Sequence, residues 1–111
     1  MTNIYQLIDQ YQQKGVDMVI VTAIEKEGEG PVEVGKKMIV TTENTHGTVG
    51  GGALEHYAIK KARHLIEQRK HDKETYYLNK GKIIENAKTL PMVCGGVVSL
   101  FYEFVGVKNY V

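Results

Sequence analysis

The stretch "GTVGGGALEHYAIKKARHLIEQRK", Gly47 to Lys70, changes period partway through. Up to Gly50 it reads as the tail of an extended segment. From Ala53 the apolar residues Leu54, Tyr57, Ala58, Ala62, Leu65 and Ile66 recur at helical spacing, with Glu55, His56, Lys60, Arg63 and Glu67 opposite. A helix over about 53–70 follows, with Glu55 in its first turn and Arg69, Lys70 and His71 at its exit, the charge order that the helix dipole favours. The three glycines between strand and helix give up more conformational freedom than any other residue type on folding. Such a junction suits a tight turn, and it also leaves the first helical amides open to an anion.

Strands are expected on both sides of this helix. "VDMVIVTAI", Val16 to Ile24, is apolar or β-branched almost throughout, as in a central strand covered on both faces. "KEGEGPVEVG" breaks the pattern, "KKMIVTT" resumes a strand, and "ENTHG" is expected to turn the chain into "TVG" as a β-hairpin. Beyond the helix, "ETYYLN" reads as a strand and "KGKIIENAKTLP" as a charged connection. From Gly96, Val98, Leu100, Tyr102 and Phe104 alternate with Ser99, Phe101 and Glu103 in a long final strand. At the N-terminus, Ile4, Leu7, Ile8 and Tyr11 share one helical face, which Thr2 or Asn3 can cap and Gly15 can end. Two helices on a mixed or antiparallel sheet of about five strands make one α+β domain over residues 1–111.

Fourteen basic against 13 acidic side chains leave a net charge of +1, too little to draw in nucleic acid or an anionic membrane. The apolar run of Val16 to Ile24 falls well short of the roughly 18 residues that suggest a membrane span. The start "MTNIYQLIDQ" lacks the basic and apolar regions of a secretory signal, so a cytoplasmic location is expected.

Gly50, Gly51 and Gly52, with the amide of Ala53, could cradle a phosphate or other anion. Equally, the glycines could serve only the turn, with Glu55 capping the amides itself. "GPVEVGKK" has the spacing of a phosphate-binding loop, but Lys37 stands where a hydroxyl is needed and a strand follows instead of a helix. "GGGALE" places Glu55 where a dinucleotide-binding loop has its third glycine. A second glycine turn, "MVCGGVV", sets Cys94 before Gly95 and Gly96. Neighbouring amides can lower a thiol pKa, which makes Cys94 a candidate nucleophile, sulfur carrier or soft-metal ligand, while a lone buried cysteine acting as a small hydrophobe is commoner. The four histidines lack an i, i+4 ligand pair, so no metal site is assigned and they are expected on the solvated surface. Met38 and Met92 are expected in the core, and Tyr76 and Tyr77 on opposite faces of their strand.

Taken in order, "GPVEVGKKMIVT", "GTVGGGALE" and "MVCGGVVSLFYE" resemble the N-terminal domain of the XdhC/CoxI family of xanthine dehydrogenase accessory factors. The resemblance implies a protein that binds the molybdenum cofactor, helps convert it to its sulfurated form with a cysteine desulfurase, and delivers it to a molybdenum hydroxylase apoenzyme. It maps the family's glycine-rich segment onto Gly50, Gly51, Gly52 and Glu55, and its cysteine-glycine-glycine segment onto Cys94, Gly95 and Gly96. Two departures stand out. Val32 follows Pro31 where the family usually has arginine, which removes a guanidinium contact to phosphate or pterin. Family members also continue into a Rossmann-like domain that these 111 residues are not expected to contain. A carrier or chaperone is therefore expected rather than an enzyme, with persulfide transfer by Cys94 as the enzymatic alternative. A ligand-free scaffold docking the desulfurase or hydroxylase is the rival from another class, and an uncovered sheet edge would permit a homodimer.

Overall fold

The computed structural model describes residues 3–28, 32–78 and 96–106. The chain runs through α1 (Ile4–Gln13), β1 (Met18–Glu27), β2 (Lys37–Val40), β3 (Thr45–Gly47), α2 (Gly52–Gln68), β4 (Asp72–Leu78) and β5 (Gly96–Val105). The strands form one sheet in the order β3-β2-β1-β5-β4, with every neighbouring pair antiparallel. The expected α+β architecture of two helices and five strands is the one observed.

Helix α1 starts where the sequence indicates. Asn3 Oδ1 accepts from the Gln6 amide at 2.9 Å and Gln6 Oε1 accepts from the Asn3 amide at 3.0 Å, a reciprocal cap. No residue of α1 is fully buried, but Tyr11 reaches across to share a 2.5 Å hydrogen bond with His46 on β3. Because His46 pairs with Ile39 and Ile39 with Ile20, these three share the sheet face on which α1 lies. Ile20 and Ile39 are buried there. The other face of the central strands carries Val19, Val21 and Ala23 into the main core against α2, so β1 is apolar on both sides for two different reasons.

Along α2, Leu54, Ala58, Ala62, Leu65 and Ile66 form the buried stripe. Arg69 ends the helix in the left-handed region at φ 54, which a side chain normally avoids. Its guanidinium is held by Asp17 at 3.0 Å and stacks 4.8 Å from the Phe104 ring, contacts that fix this exit.

Several strand boundaries shift by about two residues, β1 starting at Met18 rather than Val16, β2 ending at Val40 rather than Thr42 and β4 starting at Asp72 rather than Glu74. Two larger differences have a visible cause. β1 runs three residues further, to Glu27, with a bulge between Ala23 and Glu25 that absorbs the register shift against β5. The hairpin turns earlier, so β3 is Thr45–Gly47 rather than the expected "TVG". Thr41 Oγ1 accepts from the amides of Glu43 and Asn44 at 3.3 and 2.9 Å, which closes the turn within four residues. Met38 and Tyr76 are in the core and Tyr77 is on the open face, as the alternation indicates.

Candidate functional site

The antiparallel register sends the glycine segments to one end of the sheet. Glu27 ends β1 opposite Val97 near the start of β5, Lys37 begins β2, Gly47 ends β3 opposite Met38, and Leu78 ends β4 opposite Gly96. The connection after β3 and the N-terminus of α2 therefore lie at the same end as the start of β5.

At the first bend, Gly50, Gly51 and Gly52 have φ values of 133, 77 and 67°. Gly51 is the N-cap of α2 at φ 77 and ψ −173, a region that essentially only glycine occupies, and no side chain caps the turn behind it. Among the described residues, a Cβ added at Gly51 or Gly52 would meet nothing within 4 Å, so both backbones are open on that side. Gly50 is different. A Cβ there would press 2.9 Å from the Val32 side chain, because Val32 belongs to the core cluster. The position at which the resemblance leads one to expect arginine is thus a buried valine that packs the loop.

Glu55 points back at the loop rather than capping the helix. Its Oε1 accepts from the Thr48 hydroxyl and from the Val49 amide at 3.2 Å, while Thr48 Oγ1 accepts from the Gly50 amide at 3.1 Å. The alternative in which Glu55 takes up the first-turn amides of α2 is therefore not the arrangement seen. Thr48 and Glu55 instead hold the loop so that Gly51, Gly52 and Ala53 follow in the open.

At the second bend the described residue is Gly96; Cys94, Gly95 and Met92 lie outside the described residues. Gly96 has φ 133, and a Cβ on it would drive into the Glu27 carbonyl oxygen beside Gly28. Both bends thus abut the β1–β2 connection, Gly50 at Val32 and Gly96 at Glu27 and Gly28. Three strand spacings separate β3 from β5, about 14 Å.

The sequence reading missed a polar cluster between α2 and β4. Lys61 pairs with Asp72 at 2.6 Å and also with Glu74, and its ammonium lies 5.1 Å from the centre of the Tyr102 ring. The Tyr76 hydroxyl donates to Glu74 at 3.0 Å and shares a 2.6 Å hydrogen bond with Tyr102. Burial opposes the charge on Lys61, but the hydrogen bonds and attraction of Asp72 and Glu74 outweigh it and raise its pKa above the usual lysine value. Burial also pushes the Tyr76 hydroxyl well up, with Tyr102 and Glu74 adding to the effect. Tyr102 is raised by burial as well, against the Tyr76 hydrogen bond that lowers it. One signal was available: Lys61 stands seven residues after Leu54 and four before Leu65, inside the apolar stripe of the helix.

Two histidines do more than face solvent. His46 ties β3 to α1, and His71 Nδ1 accepts from the Phe104 amide at 3.0 Å, joining the α2 exit to β5. His56 and His64 line a groove of about 590 Å³ with Thr45, Ile59, Lys60, Arg63 and Glu67. Among the described residues, no group of three or more His, Cys, Asp or Glu side chains is placed to hold a metal ion, and no helix is long and apolar enough to cross a membrane.

None of the curated proteins matches this chain. A crystal structure from Bacillus halodurans, described as that of a xanthine dehydrogenase, is similar with a TM-score of 0.71 and 22% sequence identity. The similarity covers 93% of this chain but 30% of the Bacillus chain, so it extends to the fold and to a minor part of a longer molecule. The family profile described as the XdhC and CoxI family matches residues 11–77, which hold both open glycines and the whole of α2. With more than half its length matched, this chain belongs to the XdhC and CoxI family.

Proposed function

We propose that this chain is an accessory module for a molybdenum hydroxylase of the xanthine dehydrogenase type, and that it holds the molybdenum cofactor at the glycine end of its sheet. The observation that carries the reading is the uncapped start of α2, where Gly51 and Gly52 leave backbone open to a ligand. The choice of ligand rests on the resemblance to xanthine dehydrogenase accessory factors, whose client enzymes carry this cofactor. The amides of Gly51, Gly52 and Ala53 would hold anionic oxygens of the phosphate or pterin, assisted by the positive end of the helix dipole. Gly50 would keep the loop against Val32, and Glu55 would fix it through Thr48 and Val49 without touching the ligand. Gly96 would set the start of β5 for the Cys94–Gly95 segment. A thiolate at Cys94 suits the soft molybdenum or its exchangeable sulfur, the end on which a cysteine desulfurase would act.

The cofactor, when bound, would provide the redox centre that the hydroxylase requires; this chain's part is to bind, orient and release it. Equilibrium titration with purified molybdopterin tests the reading. Saturable binding is expected for the native chain and strong weakening for Gly51→Val, whose side chain would occupy the open cradle. Failure of the folded native chain to bind would overturn the proposal. Cys94→Ala should retain the pterin but lose sulfur loading in the presence of desulfurase and cysteine; unchanged loading would remove Cys94 from the site.

A further inference from the structure

The β3 edge and the adjacent flank of α2 form a second candidate site, distinct from the open amides of Gly51 and Gly52. β3 pairs with β2 and with no other described strand. The ladder determines which backbone groups remain outside. The Thr41 amide donates to the Asn44 carbonyl at 2.9 Å, making Thr41–Asn44 a bonded rung. Bonded and open rungs alternate in an antiparallel pair. Val40–Thr45 is therefore open, Ile39–His46 bonded and Met38–Gly47 open. The N–H and C=O groups of Thr45 and Gly47 consequently point away from β2.

Above that edge lies the groove of about 590 Å³, lined by Thr45 and by His56, Ile59, Lys60, Arg63, His64 and Glu67 of α2. Thr45 shares its face with Val40, a residue of the main core, and so with α2. Ile59 packs partly into that core and gives the groove an apolar floor. In that lining the two cations Lys60 and Arg63 outnumber the one acid, Glu67, and two histidines complete it. Arg63 Nε donates to the Thr41 carbonyl at 3.1 Å, which anchors the guanidinium beside the hairpin turn. An edge that no described strand pairs, with a helix alongside, is the arrangement that accepts a peptide by strand addition.

We propose that this groove takes an extended acidic peptide as an added antiparallel strand on β3. Residues bonded to Thr45 and Gly47 would turn their side chains to the α2 side, where Gly47 contributes no bulk. Acidic side chains there would meet Lys60 and Arg63, while the alternate residues would face away from α2. The partner would therefore carry acidic residues at every second position of an extended segment.

Fluorescence anisotropy with the labelled peptide acetyl-VEVEVEV-amide tests this. Saturable binding is expected, with the VKVKVKV counterpart at least about tenfold weaker. Lys60→Glu should weaken binding about tenfold and Lys60→Arg should restore it, with circular dichroism confirming the fold of each variant. In the proposed register the glutamate amides face β3, so N-methylation of the glutamates should abolish binding and N-methylation of the valines should not. Any of four results would overturn the proposal: no saturable binding of the acidic peptide, equal affinity for both peptides, indifference to glutamate methylation, or displacement by equimolar inorganic phosphate.

Discussion

At the glycine end of the sheet the polar groups left open belong to the backbone, whereas under α2 the polar groups belong to side chains that bond one another. Among the described residues, Gly51 and Gly52 have no neighbour within 4 Å of an added Cβ, while Lys61, Asp72, Glu74, Tyr76 and Tyr102 form a connected set around two fully buried hydroxyls. The difference separates binding from stability. An open backbone contributes little to holding the fold and remains available to a ligand. A satisfied side-chain network fixes one packing of helix on strand and leaves nothing for a ligand to displace.

The largest effect should come from cutting that network. Lys61→Ala leaves Asp72 and Glu74 without their shared cation, at a cost of about 3 kcal/mol, the low end for separating a buried pair because Asp72 is half exposed. Lys61→Met should recover part of it by keeping the packing of the stem. Urea unfolding measures both. A loss below about 1 kcal/mol for Lys61→Ala would show that the pairs behave as surface ion pairs do.

The two glycine bends should separate next. Gly96→Ala forces a methyl group into the Glu27 carbonyl, and about 2 kcal/mol is expected, within the range for overpacking. Gly51→Ala meets no atom of the described residues, so its cost of about 1 kcal/mol is assigned to the backbone conformation. Binding should reverse that order, with Gly51→Ala weakening molybdopterin more than Gly96→Ala does. Equal binding losses that simply track stability would remove the distinction between a cradle and a structural turn.

Alkaline pH sharpens the comparison from the other side. The pKa values of Lys61, Tyr76 and Tyr102 are all raised in the fold, so the folded chain retains protons that the unfolded chain releases. Their contribution is complete below the unfolded values near pH 10 and falls as pH rises through the folded ones. Each buried tyrosine should subtract about 1.4 kcal/mol of stability per pH unit above its unfolded value. Denaturant midpoints from pH 9 to 11 should therefore fall in the native chain and fall less in Tyr102→Phe. A parallel decline in both would take Tyr102 out of the linkage.

How much of this was legible in the sequence follows the same division. Periodicity found α2, and alternation found β5, because each buries one regular face. β1 was recognised as central from its continuous apolar run, although its end was missed, since the bulge after Ala23 leaves no trace in composition. β3 was misplaced because the Thr41 hydroxyl sets the turn, and a threonine between two strands has no fixed meaning until the chain closes around it. The glycine bends were visible as glycines, but their neighbours, Val32 and Glu27, were not. The tyrosine network was hidden by distance in sequence: Tyr76 and Tyr102 lie 26 residues apart and meet only through the β4–β5 register.

The smallest expected effect lies at Glu55, and it bears directly on the reading of the glycine end. The carboxylate stands in the first turn of α2, where it steadies the dipole and accepts from Thr48 and Val49. Glu55→Gln keeps a carbonyl oxygen for those donors and removes the charge, so stability should drop by only about 0.5 kcal/mol. The same substitution takes a negative charge away from the amides proposed to hold an anion. Molybdopterin binding by Glu55→Gln should therefore tighten about twofold to threefold, while Glu55→Ala, which releases the loop, should weaken it. If Glu55→Gln instead weakened binding as much as Glu55→Ala, the carboxylate would have to contact the ligand itself, and the anion would have to lie away from the open amides.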